Sequence, residues 1–296
     1  MKLREESGWL HAYDRVSGLH VRTPTAEQST PRSALGPAVL SLAVTYACDL
    51  ACPFCYAPKD SHEVDVEDAV GWCRDLDALG TLEVALGGGE PFLYQGLHEL
   101  CARIWNETAM GVSITTNGQH IDLASVDSLR NVLSILRVSI DAPEPVYSTI
   151  RQRSLEPLLR KLRQLSGLPI GINTVVNSLT LPHLDETFAL VRSLGAVSWL
   201  LLPEVRAGKY ALSRAEWKQM DLWLLAHWQA YPMEIPAAAA EHLTCPVLLL
   251  DKNPRDYAHI GADAVLRRNS HSGLGVELSN RTLKEALGLL WERQSP

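Results

Sequence analysis

From Val39 onward, short apolar runs alternate with amphipathic stretches, and no other feature of the chain constrains its fold as tightly. The runs cover residues 39–45, 82–86, 111–115, 135–140, 170–176 and 198–202. Between them lie helix-like stretches at 64–79, 97–107, 123–132, 155–165 and 181–194, and a further one at 214–231 follows the sixth run. Strictly alternating strand and helix units imply a parallel α/β sheet, because parallel neighbours need a long crossover and a helix supplies it. Six such units suit either an open doubly wound sheet or a partial barrel, and periodicity does not choose between them.

The flanks lack this rhythm. Residues 1–36 read as an N-terminal extension, in which 9–13 and 19–22 pair as a β-hairpin across Asp14-Arg15-Val16-Ser17-Gly18. Residues 23–37 hold Thr, Ser, Pro and Gly and read as a linker. The core then spans 37–232, and residues 233–296 form a C-terminal extension. In that extension 257–260 and 264–267 suit a hairpin around Gly261-Ala262-Asp263, and 282–292 suits a closing helix.

With 46% hydrophobic and 21% charged residues, the 296-residue chain carries enough apolar side chains for a core. A net charge of -7 argues against broad binding to a nucleic-acid backbone, which wants a basic face. No apolar run approaches the ~18–20 residues of a membrane span, so no membrane partner is expected. The opening MKLREESGWLHAYDR has no apolar signal segment, so a reducing cytoplasmic location is expected. There, six cysteines read as free thiols or metal ligands.

Three of the six fall within eight residues: Cys48, Cys52 and Cys55, in Ala47-Cys48-Asp49-Leu50-Ala51-Cys52-Pro53-Phe54-Cys55-Tyr56. They directly follow the first strand, at the end where parallel α/β folds carry their sites. Iron–sulfur clusters are held by thiolates, normally four. Here no fourth lies nearby, which would leave one iron open to a small ligand. Structural zinc wants four ligands, usually as two pairs, and Cys73, Cys101 and Cys245 are isolated. The cysteines alone leave cluster, zinc and coincidence standing.

The second strand ends in Gly87-Gly88-Gly89-Glu90-Pro91. Glycines let a backbone approach a ligand closely, and Glu90 sets a carboxylate where a ligand ammonium can meet it. An ordinary βα turn is the plainer reading of this loop alone. Together, however, CxxxCxxC after the first strand and GGE-P after the second resemble the radical S-adenosylmethionine (SAM) superfamily, over about residues 38–205.

The resemblance implies a partial (β/α)₆ barrel of the TIM type with N- and C-terminal extensions. It implies that Cys48, Cys52 and Cys55 ligate three irons of a [4Fe-4S] cluster whose fourth iron binds SAM. Gly88, Gly89 and Glu90 match the segment that contacts the SAM amino group. Phe54 matches the apolar residue near the adenine, and the Tyr56 backbone matches one that reads the adenine edge. Thr116 and Asn117, in Thr115-Thr116-Asn117-Gly118, resemble a stretch found in many members. Ser139 and Asp141 match polar groups that meet the ribose or the methionine carboxylate, and Arg151 matches an arginine that reaches that carboxylate. Asn173 and Asn177 lie along the fifth strand, which lines the adenine pocket, although the glycine-rich pattern there is reduced to Gly171-Ile172-Asn173. Plainer roles stand beside these: Asn117-Gly118 is a turn pair, Asp141 suits a helix cap, and Asn173 and Asn177 suit backbone groups.

The implied activity is reductive cleavage of SAM at the cluster to a 5′-deoxyadenosyl radical, which takes hydrogen from a substrate. The implied partner is an electron donor such as flavodoxin or ferredoxin. The stretch 258–268 resembles the hairpin in the extensions of peptide-modifying members, of the SPASM and twitch type. Asn269-Ser270-His271-Ser272 stands where cysteines for auxiliary clusters would follow, so the extension is degenerate. A ribosomally synthesised peptide is therefore the expected substrate, changed by cross-linking, epimerisation or another C–H modification. A small molecule or nucleotide is the alternative substrate, and a non-catalytic cluster- and SAM-binding module is the alternative to an enzyme. Cys245 is either a buried thiol or a catalytic hydrogen-atom donor. The barrel mouth is expected near Glu204 and Arg206, with His259 and Arg267 of the extension beside it.

Overall fold

The alternation resolves into strands and helices close to their expected bounds in a computed structural model, which describes residues 1–6, 8–24, 35–204, 209–246, 248–249 and 255–292. In chain order the core runs β4 (Val39–Thr45), α1 (Val66–Ala78), β5 (Glu83–Gly88), α2 (Leu97–Glu107), β6 (Gly111–Thr116), α3 (Leu123–Leu129) and β7 (Ile135–Ser139). It continues through α4 (Val146–Arg151), α5 (Leu155–Gln164), β8 (Ile170–Val176), α6 (Leu184–Ser193), β9 (Ser198–Pro203) and α7 (Arg214–His227). Before it come β1 (Lys2–Glu6), β2 (Trp9–Asp14) and β3 (Leu19–Pro24). After it come β10 (Met233–Ile235), β11 (Leu248–Leu249), β12 (Tyr257–Ile260), β13 (Val265–Arg267), β14 (Val276–Glu277) and α8 (Leu283–Glu292).

The main sheet has the order β11-β10-β9-β8-β7-β6-β5-β4-β12-β13-β14. All of it is parallel from β11 through β12, and the β12–β13 and β13–β14 pairs are antiparallel. Strand alternation assigns the faces. Leu40, Leu42 and Val44 of β4 are buried in the core that also holds Val70, Cys73 and Leu76 of α1. Ser41, Ala43 and Thr45 point to the opposite face. Helices supply the outer layer through apolar stripes, as in α5, where Leu155, Leu158, Leu159 and Leu162 are buried at helical spacing. Each such side chain contributes about 1.5–3 kcal/mol on burial.

The sheet curls. Arg137 of β7 reaches Glu234 of β10 at 2.9 Å, although β8 and β9 lie between them. Three strand spacings amount to about 14 Å in a flat sheet, so the two side chains meet only across a concave face. Among the described residues the strands at the ends of the order, β11 and β14, do not pair with each other, so the sheet is not closed into a full barrel.

The expected N-terminal hairpin is present with an added strand: β1 pairs with β2, and β2 with β3, all antiparallel. The charged segment Lys2–Glu6 carries no apolar alternation that would announce a strand. This meander covers the end of the barrel where strands begin. Tyr13 donates to Ser134 just before β7 at 3.1 Å, Arg15 donates to the carbonyls of Trp105 and Thr108, and His20 lies 3.2 Å from Glu83, the first residue of β5. The expected linker falls mostly in 25–34, outside the described residues.

The expected C-terminal hairpin is β12 and β13, with the closing helix α8 on the core. The sheet nevertheless runs through the expected boundary at 232/233. Strands β10 and β11 extend one edge, and β12 adds beside β4 on the other. Segments of two or three residues are too short for periodicity to register. Among the described residues no helix is long and apolar enough to cross a membrane.

Candidate active site

The cysteine loop is a closed excursion from the end of β4. The Tyr46 N–H donates to His62 and the Val64 N–H to Val44, so the chain leaves and returns at one place. Thr45 and Glu63 form an antiparallel bridge across the neck. Within the loop, Cys55 N–H turns back to the Cys52 carbonyl at 3.1 Å, and Lys59 holds the Leu50 carbonyl at 2.7 Å. Cys48 and Cys52 are half-buried and Cys55 is exposed. Burial raises the thiols of Cys48 and Cys52, opposed at Cys52 by the nearby charge of Arg151. The Leu50 N–H already points at the Cys48 sulfur, 3.4 Å away.

Gly88 and Gly89 bring the end of β5 against this loop. Gly88 has φ +120, and a Cβ there would collide with the Thr45 carbonyl; one at Gly89 would collide with the Ala47 carbonyl. Backbone bonds follow from the close approach, Gly89 N–H to Thr45 at 2.6 Å and Glu90 N–H to Ala47 at 2.8 Å. Gly87 is different, with open space where its Cβ would stand.

Glu90 is fully buried. Its carboxylate accepts from Thr116 Oγ1 at 2.6 Å, from the Asn117 N–H at 2.7 Å and from the Phe92 N–H at 3.1 Å. Burial raises its pKa, and these hydrogen bonds oppose the rise. A carboxylate has about four lone-pair sites, so about one remains for a ligand. Glu90 is thus first a bracket joining the ends of β5 and β6. Asn117 stands on the same bracket and donates to Asp49 Oδ1 at 3.1 Å, inside the cysteine motif.

Asp141 and Arg151 do not face a ligand separately. Arg151 Nε donates to Asp141 Oδ2 at 2.7 Å, and Asp141 also accepts from the Val175 N–H at 3.1 Å. Both are buried. The Arg151 guanidinium lies 5.9 Å from the centre of the Phe54 ring, so the pair stands beside the cysteine loop. Ser139 is half-buried at the end of β7, in register with the buried Asn173 of β8.

At two positions the structure shows contacts of the plainer kind. Asn177 accepts from the N–H groups of Leu179 and Thr180 and donates to Glu204 at 3.1 Å. Its polar atoms are occupied in closing a turn, which is the plainer of its two readings. Cys245 is buried in the apolar layer, and its N–H bonds to Asp221 of α7 at 3.0 Å. It packs beside an outer helix, as a buried thiol would. Arg206 lies outside the described residues.

The sequence reading missed a group that the fold brings to the loop. Tyr46 donates to Asp263 Oδ1 at 3.2 Å, and Arg267 grips the same carboxylate at 2.9 and 2.6 Å. Only the four-residue spacing of Asp263 and Arg267 across a turn hinted at a pair. His259, buried in β12, meets Ser41 at 3.0 Å, and Tyr56 packs edge-on to His259 and His271.

The donor set fits a cluster held by one loop. Three accessible thiols share it, while Cys73, Cys101 and Cys245 are buried elsewhere. Among the described residues no three Cys, His, Asp or Glu side chains are grouped for a single metal ion. A cubane needs no such point of convergence, since each thiolate meets a different iron.

An open parallel barrel with this loop at its strand ends defines a class of cluster-bearing α/β protein. The Radical SAM superfamily profile matches residues 42–192, just over half of the chain, and the chain belongs to that family. Its members are enzymes that use a [4Fe-4S] cluster and SAM. Among curated relatives, the PqqA peptide cyclase of Granulibacter bethesdensis is 28% identical over 170 residues, covering 54% of this chain and 45% of that protein. The Fe-coproporphyrin III synthase of Methanosarcina barkeri is 28% identical over 256 residues, covering 79% of this chain and 64% of that protein. The chain therefore spans about half to two thirds of the length of these relatives. Among solved structures, Streptococcus suis SuiB bound to its precursor peptide SuiA superimposes with a TM-score of 0.70 at 14% identity, covering 85% of this chain and 64% of that one. At that identity the likeness speaks for the fold.

Proposed function

We propose that this chain is a radical SAM enzyme acting on a ribosomally synthesised peptide. When bound, the cluster and SAM would supply one-electron reductive cleavage of SAM and abstraction of a hydrogen atom from the substrate. Cys48, Cys52 and Cys55 would hold the cluster. Gly88 and Gly89 let the end of β5 lie against the cysteine loop, and Glu90 keeps the ends of β5 and β6 together beside it. The Asp141–Arg151 pair and Phe54 form a wall next to Cys52. The exposed position of Cys55 gives an electron donor such as flavodoxin or ferredoxin access to the cluster.

The observation that supports the peptide reading is the unclosed sheet, in which the described strands β11 and β14 stand at opposite ends of the order and do not pair. An unclosed side of this kind admits a chain longer than a compact metabolite. The named activities of the PqqA relative and the bound peptide of the SuiB structure support the same reading. The named activity of the Fe-coproporphyrin relative keeps a small-molecule substrate as the second reading.

Reduced, reconstituted protein is expected to release 5′-deoxyadenosine faster when given the short peptides encoded beside its own gene. GTP, as a representative nucleotide, and a tetrapyrrole, as a representative small molecule, are expected to leave release at background. Stimulation by either, with none from the peptides, would transfer the enzyme to the small-molecule reading. No 5′-deoxyadenosine under any condition would make the chain a binding module.

A further inference from the structure

The extension after residue 233 carries no cysteine cluster of its own, yet it meets the cysteine loop at both ends. Ala262, in the turn between β12 and β13, packs in a small apolar cluster with Ala43, Tyr46 and Ala57, against which Tyr56 also lies. Tyr46 stands two residues before Cys48 and Ala57 two residues after Cys55. One turn therefore shares an apolar cluster with the chain just before the first cysteine and just after the last. The contact is reinforced by polar bonds, since Tyr46 donates to Asp263 and Arg267 holds Asp263 with two nitrogens. The turn is shaped for the purpose. A Cβ at Gly261 would strike the Tyr46 hydroxyl and Asp263, and Ala264 takes the left-handed value φ 55. β12 fixes the height of the turn by pairing with β4 from Tyr257↔Val39 to Ile260↔Leu42.

We propose that this hairpin is a clamp that sets the span of the cluster-binding loop, with Tyr46, Asp263 and Arg267 as positioning residues for the cluster. The inference rests on the assignment of the cluster to Cys48, Cys52 and Cys55. A cubane bound at three points tolerates little change in the separation of its ligands, and outer groups that orient ligands govern how firmly a metal is held. The bidentate Arg267–Asp263 pair is partly exposed, at 17% and 27%, so its strength is moderate and its geometry matters more.

The test measures iron release from the anaerobically loaded full chain to a ferrous chelator, with unfolding temperature recorded in parallel. Wild-type iron content reports on the cysteine assignment, and the variants report on the clamp. Asp263→Asn and Tyr46→Phe are expected to lose iron about tenfold faster than wild type. The double variant should be no faster than Asp263→Asn, because both break one unit. Arg268→Ala is the control: Arg268 lies next to Arg267 but reaches Leu290 and Trp291 of α8, away from the loop. It should release iron at the wild-type rate even where it lowers the unfolding temperature as much as Asp263→Asn. Equal rates for wild type and both clamp variants would overturn the proposal. So would an equal acceleration in Arg268→Ala, which would reduce the hairpin to general packing. Should Asp263→Asn fail to fold, Tyr46→Phe, which leaves the Arg267–Asp263 pair intact, decides alone.

Discussion

Glu90 illustrates how a residue can be legible in type and not in role. The Gly-Gly-Glu spelling marked it for a ligand ammonium, and no local pattern disclosed its three protein donors, two of them on the 116–117 segment. Replacing Glu90 with Ala would leave those buried donors unmet, at about 1–3 kcal/mol each. Glu90→Ala is therefore expected to lower both the unfolding temperature and SAM affinity, whereas a pure ligand contact would lower affinity alone. Calorimetric SAM titration beside a thermal melt separates the two. The cysteines were legible in both type and grouping, because their spacing is itself the signal. Cys48→Ala, Cys52→Ala and Cys55→Ala are each expected to abolish iron loading, and Cys73→Ala, Cys101→Ala and Cys245→Ala to retain about four irons per chain, as iron assay will report. Asn177 and Cys245 show the limit, since their occupancy depends on Thr180, Glu204 and Asp221, partners that only the fold brings near.

At the scale of elements, the long periodic segments declared themselves. β4 and β8 occupy the bounds that their apolar runs set, and so does α2. Caps agree: Asp65 ahead of α1 accepts from the Glu67 and Asp68 N–H groups, and Ser213 with Glu216 forms a capping box on α7. Asp65→Ala is expected to cost about 1 kcal/mol in denaturant unfolding without changing iron content. Short or charged elements stayed hidden, among them β1, β10 and β11, because they exist only through pairing with a neighbour. The junction of β4 with β5 is the least forgiving. Gly89→Ala forces a methyl into the Ala47 carbonyl, so it should displace the cysteine loop and reduce iron loading severely, while Gly87→Ala, with open space at its Cβ, should load normally.

For the whole molecule, acid is the revealing variable. Burial, helped by the neighbouring charge of Arg267, pushes His259 down from 6.5 to about 4. A histidine depressed in the folded state contributes stability that is complete above its unfolded value and is lost as pH falls through the folded one. Between pH 6.5 and about 4 the metal-free chain is therefore expected to lose up to about 3 kcal/mol through this group. His259→Gln should flatten that part of the curve in urea unfolding. An unchanged slope would mean that the imidazole is not held neutral.

The meander β1–β3 closes the end where the strands begin, and the cysteine loop stands at the other. A vessel with a floor fills and empties at its rim or through its unclosed side. If a long substrate occupies those openings, whatever rests against the loop must enter before it and must wait for it to depart. Order of arrival is then a property of topology rather than of affinity. Exchange of bound SAM with labelled SAM should slow sharply once a tight-binding substrate is present, and the substrate should gain little from meeting the enzyme first.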